Sequence, residues 1–401
     1  MKQYFAILVT LLMFLLPSSM WGKIQLSWTH PEPLTADSSN FVTASLLVAS
    51  PSNAFYSNLG HCTLRMECPS FNLDYCFSFE TDVSTSDWLR FFAGQANGHI
   101  VAVPTTQYLE SYQKEGRSVM QYELNLTHHE KQELWRILDQ DMVADNNRKY
   151  NFLQNNCSSI SLFMVEDALQ GEEFKYKWPN YMVYDTGYAI RDVTRHASWM
   201  QFVSILLIGT EADQHWDNRQ RISPESIAPI MTESVIVDSL GHQRPAIIGQ
   251  PKTLLPLTVK FAPPTVTPFM ILGALLAWAL LVSLLEWKKR WCGIARATDV
   301  VLFVAQTIAG VLLVHLSFVS SLFGTHWNWY LVPLNPLPLL IWLTMRKRKG
   351  YYKVHLLYST ILVLFLLATP LSSQLDMVHQ LITATLATRC MARYLKGRQE
   401  G

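Results

Sequence analysis

The sequence predicts an α+β domain followed by an all-α bundle of about five transmembrane helices. Three observations predict it. Apolar residues make up 49% of the 401, but they crowd the N-terminus and the stretch after Pro268. Between these lies mixed sequence with no run long enough to cross a bilayer. Within the apolar C-terminal part, basic residues gather in alternate loops, the pattern that orients membrane helices.

Taken in order, residues 1–22 predict a signal peptide. Lys2 supplies the positive region, Phe5 to Leu16 the apolar core, and Pro17-Ser18-Ser19 breaks it. An uncleaved anchor is the alternative. Residues 23–262 then form the exported domain, closed by a proline-rich connector from Pro256 to Pro268. Residues 263–401 form the helical domain. Its candidate spans are Phe269 to Leu285, Val300 to Phe323, Trp327 to Thr344, Val354 to Leu371 and the more polar Met377 to Ala392.

Lys288, Lys289, Arg290 and Arg296 lie between the first and second spans. Arg346, Lys347, Arg348, Lys349 and Lys353 lie between the third and fourth. Arg393, Lys396 and Arg398 follow the fifth, whereas Ser320 to His326 and Ser372 to Asp376 hold no Lys or Arg. The basic loops are therefore cytoplasmic and the α+β domain lies outside. A formal net charge of +1 and the lack of any basic repeat argue against nucleic acid. The histidines lack a ligand spacing such as His-Glu-x-x-His, so neither a metal nor another cofactor is expected.

In the exported domain Cys62 to Cys68 alternates, with Cys62, Leu64 and Met66 on one face, and reads as a half-buried strand. Tyr75 to Glu80 is its expected hairpin partner, and Cys68 and Cys76 flank the turn as candidates for a disulfide. Thr127-His128-His129-Glu130 is a capping box ahead of a helix. A second helix runs from about Asn156 to Leu169 and stops at Gly171.

Cys157 falls in the first turn of that second helix, behind Asn155 or Asn156 as N-cap. Unsatisfied amides and the helix dipole there favour an anion, so a thiol is drawn toward thiolate, the attacking form. The same amides can stabilise an oxyanion. The plainer reading is a small buried apolar residue. His61 opens the strand behind Gly60, whose freedom allows close backbone approach. A strand-borne histidine facing a helix-borne cysteine is the arrangement of a permuted papain-like site. There a third polar group on the neighbouring strand orients the imidazole; Ser78 and Glu80 are the candidates.

Gly60-His61-Cys62-Thr63-Leu64-Arg65 resembles a Gly-His-x-x-x-Arg motif. Tyr150-Asn151-Phe152-Leu153-Gln154-Asn155-Asn156-Cys157-Ser158 resembles its Tyr-x-Phe-x-x-x-Asn-Cys-Ser partner. Arg191, Trp199 to Phe202, Leu206 to Gly209 and Asp213 resemble a downstream pattern. His326 to Leu337 is similar to an out-facing loop and third span. In order and architecture these resemble the Lnb-type lipoprotein N-acyltransferases. The His…Asn-Cys order is also similar to the lecithin–retinol acyltransferase and permuted cell-wall peptidase (NlpC-type) superfamily.

That resemblance implies Cys157 as nucleophile and His61 as base, with Asn156, Tyr150, Arg65, Ser78 and Glu80 in support. It implies a phospholipid acyl donor, a diacylated lipoprotein acceptor and a multi-pass protein of the bacterial inner membrane with its N-terminal domain in the periplasm. Arg191 and Arg195 are candidates to meet a phosphate. His326, Asn328 and Asn335 are candidate substrate contacts at the outer ends of spans. Trp178, Tyr181, Tyr184, Tyr188 and Trp199 suit a membrane interface, or equally ordinary packing. A membrane-anchored cysteine hydrolase acting on the cell wall and a non-enzymatic assembly factor are the competing readings.

Overall fold

The computed structural model describes residues 42–53, 57–82, 87–143, 148–178, 186–213, 223–259, 264–345, 347–348 and 350–400. The predicted signal peptide, Tyr181, Tyr184, Arg346 and Lys349 lie outside these residues. The chain separates into two compact units. The first takes residues up to 91, 95–179 and 218–261; the second takes 92–94, 180–217 and 262–401. Residues 180–217, which the sequence reading places with the exported domain, group with the helical unit.

The first unit is built on strands β1 (Thr43–Ala49), β2 (His61–Cys68), β3 (Leu73–Thr81), β4 (Asn97–Pro104), β5 (Val119–Glu123), β6 (Arg148–Lys149), β7 (Glu173–Lys175), β8 (Val235–Val237), β9 (Gln243–Pro245) and β10 (Lys252–Leu255). Among the described residues the main sheet runs β10-β5-β1-β2-β3-β4-β6, with every pairing antiparallel. A small sheet, β7-β8-β9, stands apart.

Three helices cover the main sheet: α1 (Thr105–Lys114), α2 (His128–Val143) and α3 (Cys157–Asp167). The alternation of β2 decides the faces. Cys62, Leu64 and Met66 are buried, and β2 packs against α3. Phe77, paired with Leu64, meets Trp135 of α2 edge-on at 6.0 Å. On the other face, Leu47, Ala49, Cys76, Val103 and Val119 close on Tyr108 of α1. Thr63, expected on a polar face, is fully buried, its hydroxyl donating to the Phe77 carbonyl at 2.6 Å. The capping box of α2 forms as predicted: Glu130 accepts from the Thr127 amide at 2.6 Å, and Thr127 accepts from the Glu130 amide at 3.3 Å.

The Cys68–Cys76 disulfide is corrected by the register. Cys76 stands opposite Arg65, and Cys68 opposite Leu73. A 3-10 turn, Pro69–Phe71, with Asn72 at φ 52°, sets this offset. The two sulfurs therefore belong to opposite faces of the sheet, and no disulfide joins them.

The second unit holds α4 (Thr186–Val193), α5 (Ser198–Leu207), α6 (Pro268–Trp287), α7 (Cys292–Phe318), α8 (Leu337–Met345), α9 (Tyr352–Leu367) and α10 (Met377–Glu400). Among the described residues, α6 and α7 are long and apolar enough to cross a membrane; α5 and α9 are apolar but shorter. The predicted third span is corrected: helix begins at Leu337, not Trp327. Pro333 and Pro336 supply no amide hydrogen for an earlier start, and Asn335 caps Leu337 at 3.1 Å.

Arg389 of α10 binds acids from two other helices: Glu286 of α6 at 2.9 Å and Asp299 of α7 at 2.7 Å. Ser283 completes the fork at 2.7 Å. Lys396 joins Glu286 at 3.1 Å, and Arg393 also pairs with Asp299. Such buried clusters are costly to break once assembled, since the remaining charge is stranded.

With this register, intact protein digested without reductant gives no peptide pair linking Cys68 to Cys76. Peptide mass spectrometry after alkylation under denaturing conditions checks this, and a Cys68–Cys76 crosslinked peptide would contradict it.

Candidate active site

Asn156 caps α3, accepting from the amides of Ser158 at 2.8 Å and Ser159 at 3.0 Å. Ser159 returns the bond, its hydroxyl accepting from the Asn156 amide at 3.0 Å. Cys157 is thereby fixed as the first helical residue, and the residue is 8% exposed. The cap takes two first-turn amides that the sequence offers to an oxyanion. The Cys157 amide is the first-turn donor it leaves.

His61 is the first residue of β2. Gly60 before it has φ 80°, and a Cβ there would lie 2.8 Å from the Ala49 carbonyl oxygen. Only glycine fits that close a turn without strain. The turn delivers the imidazole to the end of the strand, where the N-terminus of α3 also arrives. His61 and Cys157 share a side-chain hydrogen bond, and the Cys62 amide donates to the Cys157 sulfur.

The other side of the imidazole meets β3. His61 Nε2 lies 2.6 Å from Ser78 Oγ and 3.4 Å from Glu80 Oε1. Ser78 Oγ in turn donates to Glu80 Oε1 at 2.6 Å. A ring held through Nε2 offers Nδ1 to the thiol. The four groups form one continuous chain: sulfur, imidazole, hydroxyl, carboxylate.

The electrostatics separate Cys157 from its neighbours. Burial pushes its thiol up, but the His61 charge, the His61 hydrogen bond and the Cys62 amide outweigh burial and bring it below the ordinary thiol range. Burial alone dominates Cys62, which rises well above that range, and Cys76, pushed up to about 12. For His61, burial opposes the charged form, yet the Cys157 thiolate and Glu80 overcome it and raise the imidazole above its usual value. Thiolate and imidazolium therefore stabilise each other. Among the described residues no group of three or more His, Cys, Asp or Glu is placed to hold a metal ion.

Two family profiles match the chain. The Lnb N-terminal periplasmic domain matches residues 31–184, and the Lnb transmembrane domain matches residues 260–400. The chain belongs to the Lnb family. It is thus a membrane protein with a periplasmic N-terminal domain, of a kind associated with lipoproteins. No curated protein and no solved structure matches it.

In this Lnb-type protein the remaining predicted residues fall in different places. Tyr150 stacks on Phe79 at 6.0 Å, and burial, then the Cys157 and Glu80 charges, push its phenol up. It is a neutral wall of the site. Arg65, a motif member expected in support, is engaged away from the pair. Its fork grips Asp74 with two bonds of 2.7 Å, and Nη1 donates to Gln121 at 3.0 Å. Four residues along β2 from His61, it stands about 13 Å away at the ordinary strand rise.

Arg191, Arg195, His326, Asn328 and Asn335 belong to the helical unit. Arg191 donates to the Ser373 carbonyl, and Arg195 forms an exposed pair with Asp192 at 3.4 Å. His326 pairs with Glu211 at 2.9 Å. Asn328 donates to the Leu206 and Ile208 carbonyls, both at 2.9 Å. Asn335 caps α8 and donates to Val332 at 2.8 Å. Trp178 stacks on Tyr176 at 4.6 Å, which is packing, while Tyr188 and Trp199 are exposed.

Sequence reasoning missed Tyr112, whose ring lies 6.4 Å from that of His61 and 20° from parallel. Its neighbour Arg117 was missed as well. Neither sits in a motif; both reach His61 through the packing of α1 and the turn before β5.

A neutral haloacetamide should label the Cys157 peptide at about pH 7, where ordinary thiols are mostly protonated. His61→Ala leaves only the Cys62 amide against burial, and labelling at that pH should fall about tenfold or more. Equal labelling in the two proteins, read by peptide mass spectrometry, would contradict the pairing.

Proposed function

We propose that this protein is a lipoprotein N-acyltransferase of the inner membrane, acting through a Cys157 thioester. The observation that carries the reading is the hydrogen-bonded pair of Cys157 and His61 in a chain whose residues 260–400 match an Lnb transmembrane domain. On this reading the exported unit is a permuted papain-like domain and the helical unit crosses the bilayer about five times.

In the first half-reaction His61 takes the thiol proton, and the Cys157 sulfur attacks an ester carbonyl of a phospholipid. The tetrahedral oxyanion faces the Cys157 amide at the N-terminus of α3. The ester C–O bond breaks, the proton passes from His61 to the departing oxygen, and a lysophospholipid leaves an acyl group on sulfur. In the second half-reaction the α-amine of a diacylglyceryl-cysteine attacks the thioester. His61 accepts the amine proton and returns it to sulfur as the C–S bond breaks. Ser78 and Glu80 hold the imidazole throughout, as the third group does in triads of this type.

A lipid substrate favours transfer over the cell-wall hydrolase reading. Donor and acceptor are both anchored in a bilayer, so a membrane-held thiol gains from proximity. One anchor would serve a hydrolase; a dedicated transmembrane domain fits a substrate that lives in lipid.

Incubation of purified protein with phospholipid alone should add one acyl mass to the Cys157 peptide, with release of lysophospholipid. Cys157→Ser and His61→Ala should each abolish triacylation of lipoproteins while the protein stays in the membrane at normal abundance. Normal triacylation in either variant would sink the proposal.

A further inference from the structure

Arg117 is only 3% exposed. Its Nε donates to the Ser50 carbonyl at 2.6 Å, and its Nη1 meets Glu115 at 3.3 Å. Its Nη2 is buried and has no hydrogen-bond partner among the described residues. A guanidinium nitrogen so placed is destabilising, and the arrangement needs a reason. The guanidinium carbon lies 4.4 Å from the centre of the Tyr112 ring, a cation–π contact. Tyr112 lies almost parallel to the His61 imidazole.

The turn that brings Arg117 there is built for close approach. Gly116 has φ 69°, and a Cβ on it would lie 2.8 Å from Thr258 Oγ1. Its carbonyl accepts from the amides of Thr258 at 2.9 Å and Val259 at 2.8 Å. The Arg117 amide donates back to the Tyr112 carbonyl at 3.0 Å. Backbone and side chain thus tie Arg117 to the last turn of α1.

Charged and titratable groups face His61 from each element around it: Cys157 from α3, Glu80 from β3, Tyr112 from α1 and Arg117 from the turn before β5. Cys157 and Glu80 favour the imidazolium; Arg117 opposes it. We infer that Arg117, held against Tyr112, is a positioning residue that fixes the His61 ring plane and keeps its proton transferable. The inference rests on the reading of Cys157 and His61 as the reacting pair. Acyl transfer needs His61 to give the proton up twice, once to the departing lysophospholipid oxygen and once to sulfur. An imidazolium flanked by two negative groups alone holds that proton too firmly.

The test is alkylation of Cys157 by chloroacetate across pH, in the full-length membrane protein. This anionic reagent loses rate as the imidazolium loses its proton, so the alkaline limb reports His61 without any acyl transfer. Arg117→Gln should move the limb to higher pH and lower acyl-transfer kcat about tenfold, with KM within about twofold. Arg117→Lys keeps the charge and should return the limb toward wild type, with turnover only partly restored because an ammonium does not stack. Tyr112→Leu should lower kcat with the limb near its wild-type position.

A folded Arg117→Gln protein with an unmoved limb overturns the inference. Should Arg117→Gln fail to fold, wild-type turnover in both Arg117→Lys and Tyr112→Leu overturns it. Absence of any such limb in the wild-type protein would instead defeat the reading of the Cys157–His61 pair itself.

Discussion

The periplasmic unit depends on one meeting of ends: the N-terminus of α3 against the first residue of β2. A helix start presents amides without partners, and a strand start presents an amide and a side chain at once. Here they satisfy each other. The Cys62 amide reaches the Cys157 sulfur, His61 reaches it from the side, and the Asn156 cap fixes the helix so that both can. Shift β2 by one residue and the imidazole would move to the opposite face of the sheet. The register of β2 between β1 and β3 is therefore a condition of the Cys157–His61 meeting as much as of the core.

The sheet also sorts the thiols. Cys62 and Cys76 lie on opposite faces, each enclosed by packing that disfavours charge. Cys157 is buried as well, yet it alone sits at a helix start with an imidazole and a backbone donor aimed at it. Burial does not distinguish a structural cysteine from a reactive one; the local donors do. Arg65 makes the same point for charge. It shares a motif and a sheet face with His61, but Asp74 claims its fork.

Much of this was legible in the sequence because it is local. The alternation of Cys62 to Cys68, the Thr127–Glu130 box and the polar residues before Cys157 each encode one element over a few positions. Ser78 and Glu80 follow from parity once β3 is paired with β2. What escaped is set by non-local packing. Tyr112 and Arg117 arrive at His61 only because β5 pairs with β1, which pairs with β2. The Cys68–Cys76 offset depends on a 3-10 turn that a hydrophobic pattern does not reveal. In the helical unit, hydropathy ran the third span through Pro333 and Pro336, where apolar composition and helical geometry disagree.

The Arg389 cluster gives the helical unit an order of completion. Its two acids, Glu286 and Asp299, are synthesised first, and the cations that neutralise them come 103 and 90 residues later. Until α10 joins, the two carboxylates on α6 and α7 lack the guanidinium that holds both in the finished bundle. The final helix thus acts as a keystone, and an Lnb-type chain halted before Arg389 would lack the side chain that clasps α6 and α7 together.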